Sequence, residues 1–229
     1  MLNAIRRWAR GHTEQRRYSP VGIAFHWIMA AVVMGQLALG WYAGRMASSF
    51  DKLGLYQLHT EIGFAILLLA GLRGVWRLLI PGPVNDADTP GFQANIAHIT
   101  HILFYGLFIA LPLSGWALWS ALPNDLPLSI AGVVPVPDLP FAQLSPAWQR
   151  VIMEWAETIH QLSIIGLAVL IPAHVAAALK HHFWDRHDVL TGMLPDLNGP
   201  ETPGVFGHGQ EPRQAPQSPD RSTAVQSST

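Results

Sequence analysis

Four apolar stretches, at 21–43, 55–80, 98–121 and 155–179, are each long enough, or nearly so, to cross a hydrocarbon core that needs about 20 residues of helix. In lipid a backbone must satisfy its own hydrogen bonds, so isolated apolar runs of this length become helices. The sequence therefore predicts an all-α membrane protein, an antiparallel four-helix transmembrane bundle with helices over about 21–43, 55–80, 98–121 and 155–182. Composition agrees, since half of the residues are hydrophobic and only 13% are charged. The second stretch is the least clean, with an uninterrupted apolar core at 62–72 before Arg73 and Arg77. It is read as spanning, with its arginines near one end.

The first stretch exceeds the 7–15 residues of a secretory signal core and follows about twenty other residues, so it is read as a retained helix. A formal net charge of −1 points away from a nucleic-acid partner. With no cysteine, neither disulfides nor thiolate ligands are available. Lys and Arg placement sets orientation. Arg6, Arg7, Arg10, Arg16 and Arg17 precede the first helix, Arg73 and Arg77 flank the second connection, and Lys180 and Arg186 follow the fourth helix. The other two connections hold only Arg45, Lys52 and Arg150. Both termini are thus expected in the cytoplasm, with connections 45–54 and 122–154 outside.

Three regions complete the expected domain plan: a basic cytoplasmic segment at 1–20, the membrane domain at 21–195, and a disordered cytoplasmic tail at 196–229. The tail is rich in Gly, Pro, Ser and Gln, which cannot bury a core. Residues 81–97 have a turn-forming composition. The proline-rich 122–154 connection is expected to lie along the membrane surface and cap the outer end. No internal repeat is visible.

Histidines are the second constraint. His160 and His174 stand fourteen residues apart in one uncharged apolar run, which places them on nearly the same helix face about 21 Å apart. His26 lies near the cytoplasmic start of the first helix, at the depth of His174. His59 lies near the outer start of the second, at the depth of His160. An antiparallel bundle can bring two imidazoles together at each of two levels, as bundles do when they build cofactor sites. A porphyrin supplies four equatorial nitrogens and leaves two axial positions, which one His from each of two helices fills. Zinc wants four protein ligands, or three and a water; Glu61 and Glu157 keep that alternative in view. Six-coordinate haem iron has no open site for oxygen, so its work is electron transfer. Ordinary packed histidines, or a histidine-lined path for protons or metal ions, are the competing readings.

The runs RYSPVGIAFHW at 17–27, LHTEIG at 58–63, AHITH at 97–101, FIALPLSGW at 108–116 and ETIHQLSIIGLAVLIPAHVAAALKHHFWDRHDVLTGMLP at 157–195 resemble the bacterial cytochrome b561 family. That family includes the membrane cytochrome b subunits of nickel-iron hydrogenases. The resemblance implies a multi-pass protein of the bacterial inner membrane with two b-type haems as cofactors. It also implies metal ligation by His26 with His174 and by His59 with His160, the pairs that depth alone suggests.

Other residues carry two readings each. Arg73 follows His59 by fourteen residues, near the inner level, where it contacts a haem propionate or snorkels to the interface. Arg77 is read as interfacial. Gly63 either admits a porphyrin close to the backbone or packs helices. His98 and His101 either contact propionate or quinone or are interfacial. His181, His182 and His187 are expected to face headgroups, and no role is assigned to His12 or His208. Pro112 and Pro172 each remove one helical hydrogen bond. The tryptophans at 27, 41, 116, 119, 155 and 184 are read as an interfacial belt.

Two reactions suit such a chain. Members of the resembled family include a superoxide oxidase, which takes electrons from superoxide outside and reduces ubiquinone, a quinone-linked oxidoreductase activity. Others relay electrons between the quinone pool and a separate redox protein, which here would dock on the 122–154 connection. Attraction of an anion needs positive potential, and the outer connections carry few cations beside Asp51, Asp125, Asp138, Glu154 and Glu157, which weakens the superoxide reading. A transporter that uses the same histidines without haem is the third possibility. Expected partners are membrane lipid, quinone, and superoxide or a periplasmic redox protein.

Overall fold

The computed structural model describes residues 18–80, 91–122, 126–130, 132–184 and 190–194. Expectations for 1–17, 81–90 and the 196–229 tail, and for His12, His187 and His208, lie outside them.

Among the described residues, four long helices, each apolar enough to cross a membrane, carry the fold. Helix α1 spans Pro20–Arg45, with proline in its first turn and the Ser19 hydroxyl accepting from Gly22 N–H at 3.2 Å. Helix α2 spans Phe50–Leu79 and is capped by Ser49, whose hydroxyl accepts from Lys52 N–H. Only residues 46–49 join the two, which forces an antiparallel hairpin. Helices α3 (Gly91–Ala121) and α4 (Pro146–Phe183) complete the bundle and run without interruption through Pro112 and Pro172.

Three helices begin earlier than the apolar runs predict: α2 at Phe50 rather than 55, α3 at Gly91 rather than 98, and α4 at Pro146 rather than 155. Hydropathy marks where a helix meets lipid, whereas its end in water is set by capping. The pairs Ser49 with Phe50 and Ser145 with Pro146 are the relevant signals. At 38 residues α4 is about 57 Å long, well beyond a hydrocarbon thickness of about 30 Å.

Between α3 and α4 the chain forms a small antiparallel hairpin, β1 (Leu128–Ile130) with β2 (Val134–Val136), pairing Leu128 with Val136. Gly132 takes a positive φ of 69° in its turn, a conformation that costs glycine nothing. The hairpin caps the N-terminal end of α2 and the C-terminal end of α3. Leu128 packs on Phe64 and Trp119, while Gln57 donates to the Pro127 carbonyl at 2.7 Å and Trp116 to the Pro137 carbonyl at 3.0 Å. Trp119, only 2% exposed, lies beneath it. Trp116 and Trp119 therefore belong to this packing rather than to an interfacial belt, whereas Trp41, Trp155 and Trp184 are exposed as a belt requires.

At the opposite end, a 3-10 turn at Thr191–Met193 returns to the start of α1: Tyr18 N–H donates to Gly192 and the Trp27 indole to Met193 O at 2.7 Å. The central core joins Met29 and Val33 of α1, Ile66 and Ala70 of α2, and Leu167 of α4, backed by Phe104, Leu107 and Phe108 of α3. Many other large apolar side chains, Leu68, Val75, Ile102 and Val169 among them, face outward, as lipid contact demands.

Candidate haem sites

The structure brings the four histidines together in the pairs their depth predicts. His59 of α2 and His160 of α4 have ring centroids 6.2 Å apart, and so have His26 of α1 and His174 of α4. Two imidazoles that bind one metal from opposite sides, at about 2.0 Å per nitrogen, place their centroids roughly 6 Å apart. Leu167 stands midway between His160 and His174 on α4 and is almost fully buried, so the two levels are separated by a packed apolar waist.

The outer level is lined by backbone. A cavity of about 310 Å³ touches His59, His160, Gly40, Gly63, Gly115 and Gln36. A Cβ on Gly40 would lie 2.7 Å from Cε1 of His59, so α1 admits that ring only because residue 40 has no side chain. A Cβ on Gly115 would lie 3.4 Å from Cε1 of His160. Gly63 is buried and faces Gln36 and Pro112, so it serves both readings given above. Gln36 donates through Nε2 to the His59 carbonyl. Among the described residues, its Oε1 and the Nδ1 of His59 are buried without a side-chain partner. The Ser114 hydroxyl lies 3.0 Å from Nδ1 of His160.

The inner level is crowded with polar side chains. Arg73 turns inward, its Nη2 3.3 Å from Nδ1 of His26, rather than snorkelling outward. His101 of α3 lies 6.1 Å from His174 by ring centroid, as near as His26, and its Nδ1 is bonded to the Ala97 carbonyl at 2.7 Å. Phe104 sets its ring edge-on to His174 at 5.4 Å. Arg77 stacks on Tyr18, and His98 is exposed.

One spacing runs through all four helices. His26 and Gly40, His59 and Arg73, His101 and Gly115, His160 and His174 are each fourteen residues apart. Each pair marks one helix face at two depths. Gly40, Gly115, Ser114 and Gln36 escaped the sequence reading because attention to titratable groups passes over glycines and neutral side chains. The same fourteen-residue step taken from His26 and His101 finds both glycines.

These residues fit a haem. Glycines open room beside both outer rings, and a cavity of about 310 Å³ adjoins both imidazoles. Among the described residues no group of three or more His, Asp or Glu is arranged to hold a bare metal ion. A two-histidine centre needs a cofactor to supply the remaining ligands.

Fold and site together define a multi-pass membrane protein with paired intramembrane histidines. The chain belongs to the prokaryotic cytochrome b561 family, whose model matches residues 17–196. It is 31% identical over 182 residues to cytochrome b561 homolog 2 of Escherichia coli (strain K12), covering 78% of this chain and 91% of that protein. Cytochrome b561 homolog 1 of the same strain is 27% identical over 183 residues, with 78% and 97% covered. A protein of Yersinia pestis named probable superoxide oxidase CybB is 25% identical over 190 residues, with 80% and 99% covered. The protein is therefore a multi-pass bacterial membrane cytochrome that binds b-type haem and transfers electrons.

Proposed function

We propose that this chain carries electrons across the bacterial inner membrane through two b-type haems, with His59 and His160 as axial ligands of the outer one and His26 and His174 of the inner one. The observation that carries the proposal is the pair of 6.2 Å imidazole contacts at two depths on one helix. A haem held by two histidines exchanges one electron and offers no open position to dioxygen. Both termini lie in the cytoplasm on this reading, which the arginine-rich N-terminal segment supports.

Arg73 takes part at the inner level. An imidazole that gives Nε2 to iron carries its hydrogen on Nδ1. A guanidinium only donates, so ligation by His26 turns Arg73 toward another acceptor, and a haem propionate is the group within reach of such a position. His101, 6.1 Å from His174 by ring centroid, would be available to a propionate or the quinone at that level.

The reaction that fits is a quinone-linked oxidation, with superoxide as the outer donor and ubiquinone as the inner acceptor. Two superoxide ions give one electron each and leave as dioxygen, and one ubiquinone takes two electrons and two protons. The relative named as a probable superoxide oxidase supports this donor. A second reading, a relay to a separate redox protein, is favoured by the outer cations. Arg45, Lys52 and Arg150 stand there beside Asp51, Asp125, Asp138, Glu154 and Glu157, so the expected outer connections carry no net positive charge to attract an anion. Stopped-flow mixing of the oxidised protein with superoxide and a soluble quinone distinguishes them. Rapid appearance of the reduced haem bands, followed by quinol formation, is expected. Haems that stay oxidised on that timescale leave the relay.

A further inference from the structure

We propose that Ser114 is a positioning residue that anchors His160 and holds the reduction potential of the outer haem below the value an unanchored imidazole would give. The proposal rests on His160 being an axial ligand of that haem.

Ser114 is buried at 6% exposure, and its hydroxyl has one hydrogen and two lone pairs. Its Oγ lies 2.7 Å from the Ala110 carbonyl oxygen, 3.0 Å from that of Leu111 and 3.0 Å from Nδ1 of His160. Both carbonyls are acceptors only, so the single hydrogen points to them, the usual back-bond of a serine within a helix. What Ser114 offers His160 is a lone pair, and the Leu111 carbonyl beside the ring is an acceptor as well, so Nδ1 must carry a hydrogen and donate. The reverse arrangement would set hydroxyl lone pairs against two carbonyl oxygens in a dry interior. His160 is thereby fixed as the tautomer whose Nε2 is bare and ready for iron.

Position is fixed by the same stretch of α3. Gly115 lets the His160 ring rest on the helix, where a Cβ would stand 3.4 Å from Cε1, at the near limit of van der Waals contact. Ser114 fixes the ring's rotation and Gly115 its distance. A ligand imidazole that donates through Nδ1 is a stronger base toward its metal, and here the acceptor is itself polarised by the carbonyls behind it. Extra density on the iron favours the ferric state, which lowers the potential. His59, on the opposite side, has no such hydroxyl: its buried Nδ1 finds no side-chain partner among the described residues. The two ligands of one haem are therefore unequal in this respect, since the Ser114 hydroxyl serves His160 alone.

The test is a redox titration of the visible bands of Ser114→Ala and Ser114→Thr proteins, with haem per chain measured on the same samples. In the alanine protein one component should shift upward by roughly tenfold in its reduced-to-oxidised ratio at fixed ambient potential, about 59 mV for one electron. The second component should not move. Threonine, which keeps the hydroxyl, should restore the original potential, a rescue that a purely packing role would not give. If the alanine protein loses the outer haem, Ser114→Val against Ser114→Thr makes the comparison at constant shape. Unmoved potentials in the hydroxyl-free proteins, or equal shifts in both components, overturn the proposal. Failure of the underlying ligand assignment looks different: a His160→Ala protein would retain both haems.

Discussion

The outer and inner histidine levels are built on the same fourteen-residue geometry and furnished in opposite ways. Where the outer level has Gly40 and Gly115, the inner level has His26 and His101; where the outer has His59, the inner has Arg73. The outer site is thus two imidazoles walled by backbone and capped by the hairpin. The inner site gathers three imidazoles and a guanidinium under the Thr191–Met193 turn. A neutral pocket suits a centre that exchanges electrons with a small donor and little else. A pocket rich in donors and a fixed cation suits a place where charge accumulates and protons are taken up, as reduction of a quinone requires.

Changes at each level test this contrast. The largest effect is expected from His160→Ala, which should halve the haem content while the inner pair keeps its spectrum; a pyridine haemochrome assay per chain reads this. His26→Ala should be milder than His59→Ala, because His101 stands as close to His174 as His26 does. Equal loss of haem from both would remove the distinction. Leu167→Ala in the shared waist should cost about 2–5 kcal/mol through its cavity. It should lower the thermal midpoint in detergent and leave both haems in place. Gly40→Ala should cost about 1–3 kcal/mol by pressing on His59, seen as weaker retention of the outer haem alone. Arg73→Leu is the subtlest. Loss of a positive charge at about 8 Å and an effective dielectric near 20 is worth on the order of 1–2 kcal/mol, and it should lower the potential of the inner haem only, in a redox titration.

How much of this could be read from the chain alone varied with the physics involved. Membrane spans were legible because hydropathy answers directly to lipid, and the histidine pairs because depth follows from helix rise. Helix starts at Phe50, Gly91 and Pro146 were not, since caps in water leave no hydropathic mark. The β1–β2 hairpin was hidden too. Its three-residue strands lie among prolines, and they hold their place through Leu128 packing on Trp119, a contact between segments distant in sequence. The same holds for Ser114, whose meaning depends on a ring 46 residues away.

The central claim is two haems at two levels, each held by two histidines. Haem per chain in the purified protein, with low-temperature electron paramagnetic resonance of the oxidised form, tests it most directly. The account predicts two haems per chain, both low-spin and six-coordinate. One haem per chain, or a high-spin signal from an iron lacking its second histidine, would contradict it.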